Sequence, residues 1–167
     1  MKTGLRNTLV GRVLVEELVR LGVREFIVAP GSRSTPLADA AARHPRLRVR
    51  VVADERSAAF FALGVGRASG VPGVLLTTSG SAAGHALPAV IEADAARVPL
   101  LVLSADRPAE LRETGANQTI DQVHLFGGRV RHFAEIPCSD DAFPVRAILT
   151  RIDHAVAAAA DGPVHLN

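Results

Sequence analysis

The chain has 167 residues, enough for one domain with a substantial core. Its formal charge is +2, and its 19 basic side chains, of which only Lys2 is a lysine, are scattered singly except at Arg46, Arg48 and Arg50, which argues against a nucleic-acid partner. No apolar run approaches the ~20 residues of a membrane span, no secretory apolar region opens the chain, and a single cysteine, Cys138, excludes an internal disulfide and suits a reducing cytoplasm.

Apolar residues recurring at i, i+3 and i+4 predict a helix over residues 7–21, closed by Gly22. Residues 25–29 form a first strand apolar enough to be buried on both faces. The polar loop 30–36 follows, with Thr35 expected to cap a helix that has Pro36 at its first position and runs to about Arg43. Val49, Val51 and Val52 read as a short buried strand, with Arg46, Arg48 and Arg50 on one side of it. Asp54 is a good N-cap for an alanine-rich helix over residues 57–68, so Glu55 stands at the carboxyl end of a strand and at a helix N-terminus. A turn over 69–73 leads to a strand over 74–78, and a helix from Ser79 to about Ala95 is expected next. Residues 99–104 repeat the strand pattern and stop at Ala105-Asp106-Arg107-Pro108. After a polar stretch over 110–127, a strand over 130–136, a helix over 143–160 and a last strand over 164–166 are predicted.

Strands alternating with helices predict a three-layer α/β fold: a doubly wound, mainly parallel sheet of about six strands with helices on both faces. Such a sheet brings the loops 31–35, 54–57, 79–81 and 106–108 to one rim, where open α/β sheets bind ligands. Hydroxyls, glycines, a carboxylate and two arginines suit a small anionic molecule. Other motifs fail on context. Gly64, Gly66 and Gly70 imitate a dinucleotide fingerprint but lie late in a helix, where glycine serves close packing. No lysine suits a phosphate loop, and His85, His124, His132, His154 and His165 lack metal-ligand spacing. Cys138 reads as an ordinary buried or loop thiol.

Several runs together carry a resemblance: Pro30-Gly31-Ser32-Arg33-Ser34-Thr35-Pro36, Asp54-Glu55-Arg56, Thr78-Ser79-Gly80-Ser81, Ser104-Ala105-Asp106-Arg107-Pro108 and Gly115-Ala116-Asn117-Gln118. In order and spacing, essentially the whole chain resembles the N-terminal, pyrimidine-binding domain of the 2-succinyl-5-enolpyruvyl-6-hydroxy-3-cyclohexene-1-carboxylate synthases. These are thiamine-diphosphate enzymes of menaquinone biosynthesis. The resemblance implies a transferase that decarboxylates 2-oxoglutarate and adds the succinyl-semialdehyde unit to isochorismate.

It further implies that Glu55 is catalytic, hydrogen-bonding N1′ of the cofactor's aminopyrimidine as a proton relay. Pro30, Gly31, Thr78, Ser79, Gly80 and Ser81 would join Glu55 in binding the cofactor, Ser81 standing where the family usually has Thr. Ser32, Arg33, Arg107, Asn117 and Gln118 would bind substrate, their forks and amides suiting carboxylates.

The family's Mg²⁺ or Mn²⁺ is held by a C-terminal domain with a Gly-Asp-Gly motif, which these residues lack, so no metal ligand is expected here. Residues 1–167 are therefore expected to be the pyrimidine-binding domain alone, without the family's middle and diphosphate-binding domains, and inactive by themselves. The full-length enzyme would be a cytoplasmic homodimer or dimer of dimers. Two alternatives stay open: a separate α subunit of a sulfopyruvate decarboxylase-like enzyme, and a non-catalytic α/β binding module.

Overall fold

The computed structural model describes residues 3–136 and 144–167. Cys138 and Phe143, read from sequence as a buried or loop thiol and a helix start, lie outside the described residues. Six parallel strands form one sheet in the order β2-β1-β3-β4-β6-β5. They are β1 (Glu25–Val28), β2 (Arg48–Val51), β3 (Gly73–Thr77), β4 (Leu100–Ser104), β5 (His132–Ala134) and β6 (Pro163–Leu166). The expected α/β architecture is the one observed.

Alternate residues of the inner strands feed two cores. Phe26, Val28, Val74, Leu76, Leu101 and Leu103 pack under α1 (Thr3–Arg20), α2 (Thr35–Arg43) and α6 (Val145–Ala159). Ile27, Leu75, Leu100 and Val102 pack under α3 (Glu55–Ser69) and α5 (Leu87–Ala96). Strands β3 and β4 are buried at every position, as a sheet covered on both faces requires. The α3 face is lined by Ala58, Ala59 and Ala62, whose small side chains bring the helix close to the sheet. Gly66 completes that contact, since a Cβ there would stand 1.9 Å from the Pro99 carbonyl oxygen. Gly70 ends α3 in the left-handed conformation, so neither glycine belongs to a nucleotide fingerprint.

Three expectations are corrected. The strand at 49–52 is β2, an edge strand rather than a buried one, with Val51 69% exposed. Arg48 and Arg50 do share a face, because both meet the Glu25 carboxylate of the neighbouring strand, whereas Arg46 pairs with Glu16 at 3.0 Å. The helix expected from Ser79 to Ala95 is two helices, α4 (Ser81–Gly84) and α5. Pro88 causes the break, because its ring would clash with the carbonyl four residues back, at Gly84. Finally, Thr35 does not cap α2. It is the first helical residue, following a short 3₁₀ turn over Ser32–Ser34 that leaves Ser34 in the cap position.

Candidate functional site

The chain leaves β1 for α2 on one face of the sheet and leaves β3 for α4 and α5 on the other. Because β1 and β3 are neighbours, their outgoing loops diverge to opposite faces at the carboxyl rim, the place where open α/β sheets bind ligands. Gly31 and Thr78 meet there: a Cβ on Gly31 would lie 2.3 Å from the Thr78 Cβ. The Gly31 φ of −175° is ordinary extended backbone, so glycine is required for space and not for conformation. Ser34, fully buried, ties the loop by donating to the Gly31 carbonyl at 2.9 Å. Pro30, Ser32 and Arg33 are exposed around this turn. Thr78 is 6% exposed, yet its hydroxyl oxygen is buried without a hydrogen-bond partner among the described residues.

Glu55 enters the same rim from β2. Asp54 caps α3 as expected, its Oδ1 accepting from the Ser57 amide at 2.7 Å. Hydrogen bonding from the Ser57 side chain, then from its backbone, holds the Asp54 carboxyl below the usual carboxylate range. Glu55 is the first residue of α3 and is half-buried at the helix N-terminus.

The far wall comes from the polar stretch after β4. Arg107 donates from Nη2 to the Asn117 carbonyl at 2.9 Å, while its Nε is buried without a partner among the described residues. Asp106 accepts from the Arg107 amide at 2.6 Å and from Asn167 Nδ2 at 2.9 Å, and pairs with Arg112 at 3.1 Å. Gln118, grouped from sequence with the substrate residues, instead reaches the loop grouped with the cofactor. Its Nε2 donates to the Ser79 carbonyl at 3.0 Å, and Ser79 Oγ donates back to the Gln118 carbonyl at 3.1 Å. Asn117 and Ser81 are exposed beside these contacts.

Sequence reasoning missed the layer beneath. Gln122, 1% exposed, accepts the Gly80 amide on Oε1 at 2.8 Å. Its Nε2 donates to the Ala105 carbonyl at 3.2 Å and to Asn167 Oδ1 at 2.7 Å. Ser104 Oγ donates to the same Asn167 oxygen at 2.7 Å and lies 2.7 Å from His165 Nε2. The available signal was a polar run, Asn117 to Gln122, with no helical or strand period to explain it.

An unpartnered hydroxyl at Thr78 and a carboxylate at Glu55, on loops that leave neighbouring strands at one rim, fit the polar edge of a flat heteroaromatic ring. Among the described residues, no group of three or more His, Cys, Asp or Glu side chains could hold a metal ion. None of the described helices is long and apolar enough to cross a membrane.

Comparison with known proteins agrees with this geometry. Residues 8–125 match the family described as thiamine pyrophosphate enzyme, N-terminal TPP binding domain. A protein of Chlorobium limicola named 2-succinyl-5-enolpyruvyl-6-hydroxy-3-cyclohexene-1-carboxylate synthase is 53% identical over 164 residues, which is 96% of this chain and 28% of that protein. Proteins of the same name from Chloroflexus aurantiacus and Salinibacter ruber are 54% and 55% identical over 156 and 159 residues, covering 92% and 93% of this chain and 27% of each relative. The chain thus spans a little over a quarter of the length of these relatives. With more than half of its residues matched to the family pattern and an open α/β sheet beneath them, the chain belongs to the thiamine pyrophosphate enzymes, as their N-terminal TPP-binding domain.

Proposed function

We propose that residues 1–167 form the pyrimidine-binding domain of a synthase that decarboxylates 2-oxoglutarate and adds the succinyl-semialdehyde unit to isochorismate in menaquinone biosynthesis. The observation that carries this reading is the identity of 53% along 96% of the chain to a relative bearing that synthase's name. The divergence of the β1 and β3 loops at the rim that carries Thr78 and Glu55 supports it from geometry.

In this reading thiamine diphosphate, when bound, supplies the electron sink for decarboxylation. The Glu55 carboxylate holds the proton at N1′ of the aminopyrimidine, a position favoured by the α3 N-terminus. Thr78, with its unpartnered hydroxyl, receives the ring together with Pro30, Gly31, Ser79, Gly80 and Ser81 of the two loop ends. Arg107, whose Nε still lacks an acceptor, binds a carboxylate of isochorismate together with Ser32, Arg33, Asn117 and Gln118. Mg²⁺ or Mn²⁺ on the diphosphate, residence in the cytoplasm and assembly as a homodimer or dimer of dimers belong to the same proposal. So does the inactivity of these residues by themselves.

A chimera in which this chain replaces the matching part of the Chlorobium limicola relative tests the function. Product formation that requires both 2-oxoglutarate and isochorismate is expected. A folded chimera that turns over sulfopyruvate instead, or neither substrate pair, would overturn the proposal.

A further inference from the structure

One peptide unit of the rim is gripped from both ends. The Ser79 carbonyl accepts from Gln118 Nε2 at 3.0 Å, and the Gly80 amide, on the same peptide plane, donates to Gln122 Oε1 at 2.8 Å. Gly80 has φ +85° and ψ −149°, a conformation reserved for glycine, so its own geometry restrains the plane weakly. The two glutamines differ in setting. Gln118 is exposed, whereas Gln122 is 1% exposed.

Counting hydrogens fixes how Gln122 must point. Its Oε1 faces an N–H, and its Nε2 faces two acceptors, the Ala105 carbonyl and Asn167 Oδ1. A flipped amide would set donor against donor and oxygen against two oxygens. Asn167 is fixed in turn, because Oδ1 accepts from Gln122 and Ser104 while Nδ2 donates to Asp106. With the Ser104 hydroxyl hydrogen given to Asn167, the proton between Ser104 and His165 belongs to His165 Nε2. Each member has one role, so the orientation of Gln122 is imposed by neighbours at the carboxyl ends of β4 and β6.

We propose that Gln122 is a positioning residue that sets the plane of the Ser79–Gly80 peptide, with Gln118 as the exposed, releasable half of the clamp. The rim assigned to the pyrimidine is then aligned by the stretch after β4, not by β3 alone. This inference rests on the cofactor reading of Ser79 and Gly80 made above.

Amide hydrogen exchange at Gly80 in the ¹⁵N-labelled chain tests it without cofactor. Gln122→Met should speed Gly80 exchange by about tenfold or more, while the Leu75 and Val102 amides in the sheet keep their rates. Gln118→Leu should speed it less, because the Gly80 acceptor remains. Gln122→Glu covers the case in which the methionine variant does not fold. Its carboxyl, when protonated, retains both an acceptor for Gly80 and a donor for Asn167. When ionised, it faces the Ala105 and Asn167 oxygens with no donor. Repulsion from those two oxygens turns the carboxylate away from the Gly80 amide, so Gly80 exchange relative to the unsubstituted chain at the same pH should rise with pH in this variant, and in the chimera KM for thiamine diphosphate should rise over the same range. Gly80 exchange unchanged by Gln122→Met, or rising only in step with Leu75, would overturn the proposal, as would a pH-independent ratio for Gln122→Glu. Turnover by the chimera tests the cofactor reading separately, and its failure would leave the Gly80 result standing.

Discussion

Gly31 and Thr78 approach so closely that a Cβ on Gly31 would stand 2.3 Å from the Thr78 Cβ and 2.7 Å from its Oγ1. This contact joins the outgoing loops of β1 and β3 at the point where the chain diverges to opposite faces of the sheet. Gly31→Ala should force the loops apart and destabilise the chain by roughly 1–3 kcal/mol, read as a lower Tm in a thermal melt. Thr78→Gly in the same chain should return part of that loss, because it removes the atoms the new methyl would strike. Equal and additive losses from the two substitutions would mean that the contact is not what makes Gly31 necessary.

A second prediction concerns pH. His165 is fully buried against Phe126 and Phe133, with ring centroids 4.8 Å and 5.2 Å away. Burial, and secondly the charge of His124, push its pKa from 6.5 down to about 4. The unfolded chain therefore takes up the proton first. The stability due to neutral His165 is fully present above about pH 6.5 and is lost as pH falls towards about 4. Urea unfolding at pH 7.5 and pH 5 should differ by on the order of 2 kcal/mol. His165→Leu should flatten that difference, even though it lowers stability by leaving Ser104 without its histidine partner.

Arg107 should act on one substrate only. In the chimera, Arg107→Ala is expected to raise KM for isochorismate by roughly 10–100-fold, the range for one lost charge-assisted contact. KM for 2-oxoglutarate should stay nearly unchanged. Arg107→Lys should recover little, because a point charge does not reproduce the fork that reaches both the Asn117 carbonyl and a carboxylate. A parallel rise in both KM values would remove Arg107 from the isochorismate contacts.

Much of this was legible in the sequence because the inner strands are short apolar runs ended by glycine, proline and hydroxyl residues, a pattern with few alternatives in a doubly wound sheet. The misreadings have local causes. Val49 and Val51 alternate with Arg48 and Arg50, which is the signature of an edge strand, and weighing the valines alone made β2 look buried. In the helix after Ser79, Pro88 marked a boundary that its alanine-rich surroundings concealed. Gln122 and Asn167 were invisible for a different reason. Their roles depend on bonds to Gly80, Ala105, Ser104 and Asp106, and no periodicity records a partner tens of residues away. Gln118 stands out in the sequence, but only the structure reveals that its amide is engaged with Ser79.

Glu55 is the residue on which the cofactor assignment rests, and the most direct measurement is turnover of 2-oxoglutarate and isochorismate by the chimera with and without Glu55→Gln. The substitution keeps the size of the side chain and the start of α3 but removes the carboxylate. Loss of turnover by about 100-fold or more, the usual worth of a positioned acid–base group, at an unchanged Tm is the predicted result. Turnover within about twofold of the unsubstituted chimera would contradict the assignment of this rim to the pyrimidine of thiamine diphosphate.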